Sequence, residues 1–447
     1  MRSLRPSLLV FALAIVVGLI GPASAGQFGA ETFTLTNGLQ VVVVQNHRSP
    51  VVTQMVWYKV GAADEPVGTS GIAHFLEHLM FRGTKETPPG AFSRIVSQNG
   101  GRDNAFTTSD YTAYFQNVAS DRLELMMKLE AERMVGLQLT DAVVTPERQV
   151  IIEERRSRID NNPSSLLSEQ VDTAIYLHHP YRIPVIGWEH EMQKLSTQDA
   201  QTFYTKWYAP NNAVLIVVGD VTLETVRQFA EKYYGPIPSR PVPERHRISE
   251  PPKVASVRLE LKSPRAGSAS WTRYWLAPSY NSGDKRTAYA LQVLSNALGG
   301  GATSRLYKAL VVEKGLALNA GSFYSANSVD VTTFGFYATP KPGVAIPDLE
   351  SAIEVEVKKL LKDGLTAEEV DRGKKRMQSA AIYSRDSLSG PARIIGEGLA
   401  TGRSLDEIEA WPDRIGAVTV EEVNAAAKLV IKENISVTGV LLPEPTS

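Results

Sequence analysis

The second half of this chain repeats the order of the first. Ser304-Arg-Leu-Tyr-Lys308 echoes Ser93-Arg-Ile-Val-Ser97, and each is followed by glycine and a stretch rich in Ser, Thr and Tyr. Leu365-Thr-Ala-Glu-Glu369 opens a helical stretch as Leu139-Thr-Asp-Ala142 does. Val418-Thr-Val-Glu-Glu-Val423 leads to a strand over 435–441, as Leu195-Ser-Thr-Gln-Asp-Ala200 leads to one over 213–218. Identity is weak, but the order holds over about 180 residues, which restricts the chain to two copies of one unit. Each copy mixes strand and helix patterns, so the expected fold is α+β: two homologous domains in tandem, over 29–236 and 254–442. The linker expected over 237–253 belongs to a run, Pro236 to Lys253, that holds six prolines and little hydrophobic pattern.

In the first copy, Phe33 to Gln45 reads as a hairpin turning at Asn37-Gly38. Residues 51–60 form a strand, 92–99 a helix, 104–118 a strand and 122–135 an amphipathic helix. A long helix is expected from Thr145 as N-cap and Pro146 as first helical residue to about residue 159.

One stretch stands out, Ser70-Gly-Ile-Ala-His-Phe-Leu-Glu-His-Leu-Met-Phe-Arg-Gly83. Ser70 is a fitting N-cap and Gly83 a fitting stop. Ile72, Phe75, Leu76 and Leu79 fall on one face of the helix between them, and His74, Glu77 and His78 on the other. Two imidazoles at i and i+4 make a pair of zinc ligands, and the intervening carboxylate can act as base toward an activated water. The order is H-x-x-E-H, the inverse of H-E-x-x-H. The bland alternative is an exposed polar face. The corresponding helix of the second copy, near 288–298, has no His and no Glu.

The Pro146 helix offers a third ligand. Val150 and Ile151 mark its buried side, Glu147 and Glu154 lie on that same side two turns apart, and Glu153 and Arg156 point elsewhere. A carboxylate on an apolar stripe needs compensation, which a divalent metal or an arginine would provide.

These residues together resemble the pitrilysin/insulinase (M16) family of zinc peptidases, to which the mitochondrial processing peptidase belongs. In that family H-x-x-E-H is followed by a glutamate ligand in a helix of the form E-x6-E. His78 and Glu154 are 76 positions apart, and Glu147-Arg-Gln-Val-Ile-Ile-Glu-Glu154 has that form. The likeness extends to 99–115, to His179-Pro-Tyr-Arg-Ile-Pro-Val-Ile-Gly187 and to Trp207-Tyr-Ala-Pro-Asn-Asn-Ala213.

The resemblance implies a zinc metalloendopeptidase with one zinc per chain, held by His74, His78 and Glu154, with Glu77 as general base. Glu147 would orient a ligand histidine; otherwise it is a solvated first-turn glutamate. An extended peptide would lie along Asp103, Asn104, Ala105, Phe106 and Thr107 as an added strand. For Phe106, Tyr111 and Tyr114, core packing is the default, and His178, His179, His190 and His246 read as surface or loop histidines. In the family an Arg and a Tyr of the second-half domain face the zinc. Here Val311 and Leu318 stand at those positions, and Arg305 and Tyr324 are out of register. Two domains also make half of the family's four-domain shell. A related partner subunit carrying Arg and Tyr is therefore expected, giving a heterodimer, with a homodimer as the other possibility. The rival readings are a non-catalytic shell subunit and a peptide-binding protein of the same fold.

Composition sets the address. Arg2 and Arg5, an apolar run over 8–20 and Ala23-Ser-Ala25 read as a secretory signal over residues 1–25. With zero cysteines the chain forms no disulfides and carries no lipidated cysteine. The periplasm is the expected compartment, with no stable membrane anchor after cleavage. A formal net charge of −1 gives no reason to expect a nucleic-acid partner.

Overall fold

The computed structural model describes residues 26–245 and 247–444. The signal expected over residues 1–25 and His246 lie outside them.

The first half is built on a six-stranded sheet: β1 (Glu31–Thr34), β2 (Gln40–Gln45), β3 (Val51–Tyr58), β4 (Arg102–Thr107), β5 (Thr112–Ala119) and β6 (Ala213–Gly219). The second half has β7 (Val257–Ser263), β8 (Ser270–Ala277), β9 (Ala317–Tyr324), β10 (Thr332–Pro340) and β11 (Val437–Pro443). The sheet orders are β1-β2-β6-β3-β5-β4 and β7-β11-β8-β10-β9. Apart from β1 the topology is the same. In each sheet the last strand of the half inserts between two earlier ones: β6 runs parallel to β2 and antiparallel to β3, and β11 parallel to β7 and antiparallel to β8. The repeat read from weak sequence echoes is thus a repeat of strand order.

Asn104 to Val118 is a hairpin and not one strand. The chain reverses over 108–111, where the Thr108 Oγ1 accepts from the backbone N–H groups of Asp110 and Tyr111. That side-chain turn takes over the backbone bonding that would have continued the strand. The reversal leaves β4 at the sheet's edge.

Helix α1 (Ile72–Leu79) crosses the inner face of the first sheet, with Ile72, Phe75, Leu76 and Leu79 all buried there. Ser70 does not cap it. Gly71 is the N-cap at φ 86°, and the Ser70 Oγ accepts instead from the Trp188 N–H at 2.9 Å. The helix start is held by Glu65, whose carboxylate accepts from the N–H groups of Gly71 (2.9 Å) and Ala73 (2.8 Å). A carboxylate at that end also complements the helix dipole. Gly71 and Gly187 face each other so closely that a Cβ on either would lie 2.5 Å from the other segment's carbonyl oxygen. With α2 (Ala91–Gln98) and α3 (Leu123–Gly136) following, the next helix is α4 (Asp141–Arg155). It begins one turn earlier than expected, with Thr140 in the N-cap position, and Pro146 sits inside it.

The halves exchange helices. Ala392, Ile395 and Leu399 of the second-half helix Ser389–Ala400 pack on the outer face of the first sheet, against Met55, Trp57 and Ile216. Reciprocally, Leu167, Val171 and Ile175 of α5 (Pro163–Ile175) pack on the outer face of the second sheet, against Val437 and Leu441. Each sheet therefore buries its second face under an element of the other half. Gly396 sets the contact distance, since a Cβ there would lie 2.0 Å from the Trp57 ring. Gly396→Val is expected to destabilise the protein by about 3 kcal/mol or more, because neither the helix nor a fully enclosed indole can retreat. A chemical denaturation series checks this, and an unchanged midpoint would show that the seam is loose.

The described residues of the segment 237–253 form no helix or strand, yet the segment does not float. Arg247 bridges Asp64 (2.9 Å) and Asp110 (3.1 Å), and Arg245 pairs with Asp64 at 3.3 Å. Its charges strap it to the first half.

Candidate metal centre

Helices α1 and α4 pack against each other and bring His74, His78 and Glu154 together, with one donor atom of each within 4.8 Å of the others. Glu154 Oε2 lies 3.1 Å from His78 Nε2 and 3.7 Å from His74 Nε2. That oxygen is buried, yet it accepts no aligned hydrogen bond. Arg158 pairs only with the other oxygen, Oε1, so Oε2 is left facing the two imidazole nitrogens, and two His and one Glu are a zinc-type donor set. The residues present fit the metal.

Their surroundings set their protonation. Glu147 Oε1 is 2.9 Å from His78 Nδ1, and its other oxygen pairs with Arg82. This contact fixes the Nδ1 proton, so that Nε2 is the nitrogen that can face the site with a lone pair once its own proton is lost. Glu147 orients His78 and not His74, whose Nδ1 is buried without a hydrogen-bond partner. Burial would lower His78, but Glu147 and Glu154 outweigh it and raise it to about 9. Burial, then the neighbouring His78, push His74 down to about 4. Glu154 is held below the usual carboxylate range by His78, against the effect of burial. Between about pH 4 and pH 9, His74 is therefore neutral and His78 carries a proton that metal binding must expel. Zinc uptake at pH 7 should release about one proton per chain, read from titration calorimetry in buffers of different ionisation enthalpy. No release would contradict the charge state assigned to His78.

Glu77 projects from α1 into the same space and is 8% exposed. Burial raises its carboxyl, only partly offset by the Thr107 hydroxyl, which donates to Glu77 Oε2 at 2.5 Å. Thr107 ends β4, so the edge strand is tied directly to the candidate base.

A cleft of about 1030 Å³ opens over these groups, with Asn104, Ala105, Phe106 and Thr107 on one wall and Val150 on the other. Val150, expected on the buried side of α4, faces the cleft and is 44% exposed; Val144, Ile151 and Ile152 are the buried residues. Glu153, expected to point elsewhere, pairs with Arg156 but also lines the rim of the cleft. Asp103 is not part of the cleft wall, and its carboxylate accepts from the Ser93 hydroxyl of α2 at 2.6 Å. The Phe106 ring packs edge-on to Trp57 at 5.4 Å, and Tyr114 is fully buried with its hydroxyl on that of Tyr208.

Three contributors escaped sequence reasoning. Arg158 bonds Glu154 Oε1 at 2.7 Å, a partner that helical spacing from Glu154 would have suggested. Arg82 and Glu65 act through the fold and leave no local signal. His179, read as a surface or loop histidine, is fully buried, with Nδ1 accepting from the Tyr181 N–H and Nε2 3.3 Å from Asp330. It belongs to the seam between the halves.

Comparison with known proteins places the chain in a family. The family described as Insulinase (Peptidase family M16) matches residues 40–188, and the Peptidase M16 inactive domain matches residues 194–377. Zinc protease PqqE of Helicobacter pylori is 32% identical over 418 residues, covering 92% of this chain and 93% of that protein. The chain belongs to the M16 peptidase family. The crystal structure of a protease from Helicobacter pylori superposes with a TM-score of 0.86 at 31% identity, covering 93% of this chain and 99% of that one. The periplasmic protease PqqL from Escherichia coli shares the fold, with a TM-score of 0.78 at 18% identity, and this M16 chain spans 48% of its length. No helix among the described residues is long and apolar enough to cross a membrane.

Proposed function

We propose that this M16 protein is a zinc-dependent endopeptidase that cleaves extended or unfolded polypeptides, working in the periplasm after loss of a leader over residues 1–25. The observation that carries this reading is the convergence of His74 Nε2, His78 Nε2 and Glu154 Oε2 beside a buried Glu77 that is tethered to an edge strand. Zinc held by these three residues would supply a Lewis acid that polarises a peptide carbonyl and makes a water molecule acidic near neutral pH. Glu77 takes the proton of the attacking water and returns it to the leaving amine nitrogen, a task suited to a carboxyl raised by burial. Thr107 holds the Glu77 carboxylate in place. The free edge of β4 offers main-chain groups to an extended substrate, which fixes its direction while reading its side chains weakly.

The developing negative oxygen needs a further donor. Val311 packs on the second core and Leu318 is 53% exposed; neither can donate a hydrogen bond from its side chain. Arg305 is bound by Glu369 and the Gly364 carbonyl, and the Tyr324 hydroxyl donates to the Pro278 carbonyl. With both of those groups engaged, the Arg and Tyr come from a related second subunit, which also closes the shell.

The test is to purify the protein alone and with a related subunit, and to measure zinc per chain, mass in solution and cleavage of an unstructured peptide. Chelator-sensitive cleavage that rises with the partner is expected. Zinc-free protein without cleavage in either state would leave the non-catalytic shell. Full activity alone would refute the need for a partner.

A further inference from the structure

The repeat places a second cavity where the second half has the counterpart of the metal cleft. Thr140 is the N-cap residue of α4, and Glu154 is the fourteenth residue after it; Thr366 is the N-cap residue of the helix Ala367–Ser384, and Ala380 is the fourteenth after it. In the first half, Glu77 of α1 is bonded to Thr107 on the edge strand. In the second, Ser295 of the helix Lys285–Gly299 is bonded to Ser322 on the edge strand β9. Counting from those anchors, Gln292 stands where His74 does and Asn296 where His78 does. Gln292, Asn296 and Ala380 all line one cavity of 510 Å³.

The chemistry of that cavity is inverted. Arg376, one turn before Ala380 as Val150 is before Glu154, lines it together with Arg403, which comes from beyond the exchanged helix. Among the described residues neither guanidinium has a carboxylate oxygen within 4.0 Å, and the charges of Glu397 and Glu407 reach Arg403 only from farther away. Arg376 donates to the Asn296 side chain and carbonyl and to Thr303 Oγ1. Arg403 donates to Asn327 and to the Glu407 carbonyl and lies over the Tyr280 ring at 4.2 Å. All these acceptors are neutral, and a guanidinium has five N–H groups, so each keeps donors to spare. Gly300 gives Arg376 its room, since a Cβ there would lie 2.8 Å from Nη2. Met377, Ile408 and Trp411 supply apolar wall.

We infer that this cavity binds a small organic anion, a carboxylate or phosphate on an apolar body, with Arg376 and Arg403 taking the charge and Met377 and Trp411 the body. Two part-buried guanidiniums without an ion pair are completed by an anionic ligand, whereas the first half's donors are completed by a cation.

The test is titration calorimetry on the zinc-loaded full chain with phenyl phosphate and benzoate, against inorganic phosphate and the neutral benzyl alcohol. Saturable binding of phenyl phosphate or benzoate is expected. Arg376→Gln should weaken it at least about tenfold, the loss of one charged hydrogen-bonding partner. Ala380 is exposed at the cavity wall, so Ala380→Trp should block binding without disturbing the core. Zinc content and thermal midpoint of both variants are read alongside. No saturable binding by either aromatic anion, equal affinity for inorganic phosphate or benzyl alcohol, or wild-type affinity in a folded Ala380→Trp would each overturn the assignment.

Discussion

Glu77→Gln is expected to bind zinc as the wild type does and to cleave an unstructured peptide about a thousandfold more slowly, within the usual contribution of a general base. The substitution keeps the size and shape of the side chain and touches none of the three candidate ligands. The Thr107 hydroxyl can still donate to the new carbonyl oxygen, so the local packing survives. What is lost is the capacity to take a proton from water and return it. Thr107→Val separates position from basicity: it leaves the carboxylate but removes its tether, and a smaller loss is expected. Zinc per chain by atomic absorption, together with peptide turnover, checks both. A Glu77→Gln protein as active as the wild type would remove Glu77 from the chemistry.

Glu154→Gln should weaken zinc binding by about a hundredfold or more, while Glu153→Gln leaves it unchanged. The two residues are neighbours in sequence and carry the same charge, so long-range electrostatics cannot tell them apart. Geometry does. Glu154 Oε2 lies 3.1 Å from His78 Nε2, whereas Glu153 pairs with Arg156 at the surface. Glu154 also bonds Arg158, but that arginine is 72% exposed and the pair is worth at most about 1 kcal/mol. Loss of the ion pair therefore cannot account for a hundredfold effect on the metal. Equilibrium dialysis with zinc decides, and equal affinities in the two variants would move the third ligand elsewhere.

The candidate site was legible because its spacing is local. His74 and His78 sit one turn apart on one helix, and Glu147 and Glu154 two turns apart on another. An α-helix converts such spacings into directions without any knowledge of the fold. The inner-face residues Ile72, Phe75, Leu76 and Leu79 were legible for the same reason. Where direction depended on what else packs nearby, local reasoning failed. Val150 has the hydrophobicity of a buried residue, yet α4 turns it toward a cleft. Ser70 has the chemistry of a cap, yet a glycine pair and Glu65 occupy that role. A polar turn at 108–111 was hidden inside a run of good strand formers.

The sequence by itself determined two related α+β halves, the helix faces and the residue types of a candidate cation site in the first half. Periodicity and side-chain chemistry carry those, and both are local. The tertiary structure alone decided which sheet each amphipathic helix covers, that the halves trade α5 for the helix Ser389–Ala400, and that Arg376 and Arg403 meet in one cavity. An apolar stripe is equally satisfied by its own sheet or by its twin's. The choice rests on shape, as in the fit of Gly396 against Trp57, and shape arises only when distant segments are brought together.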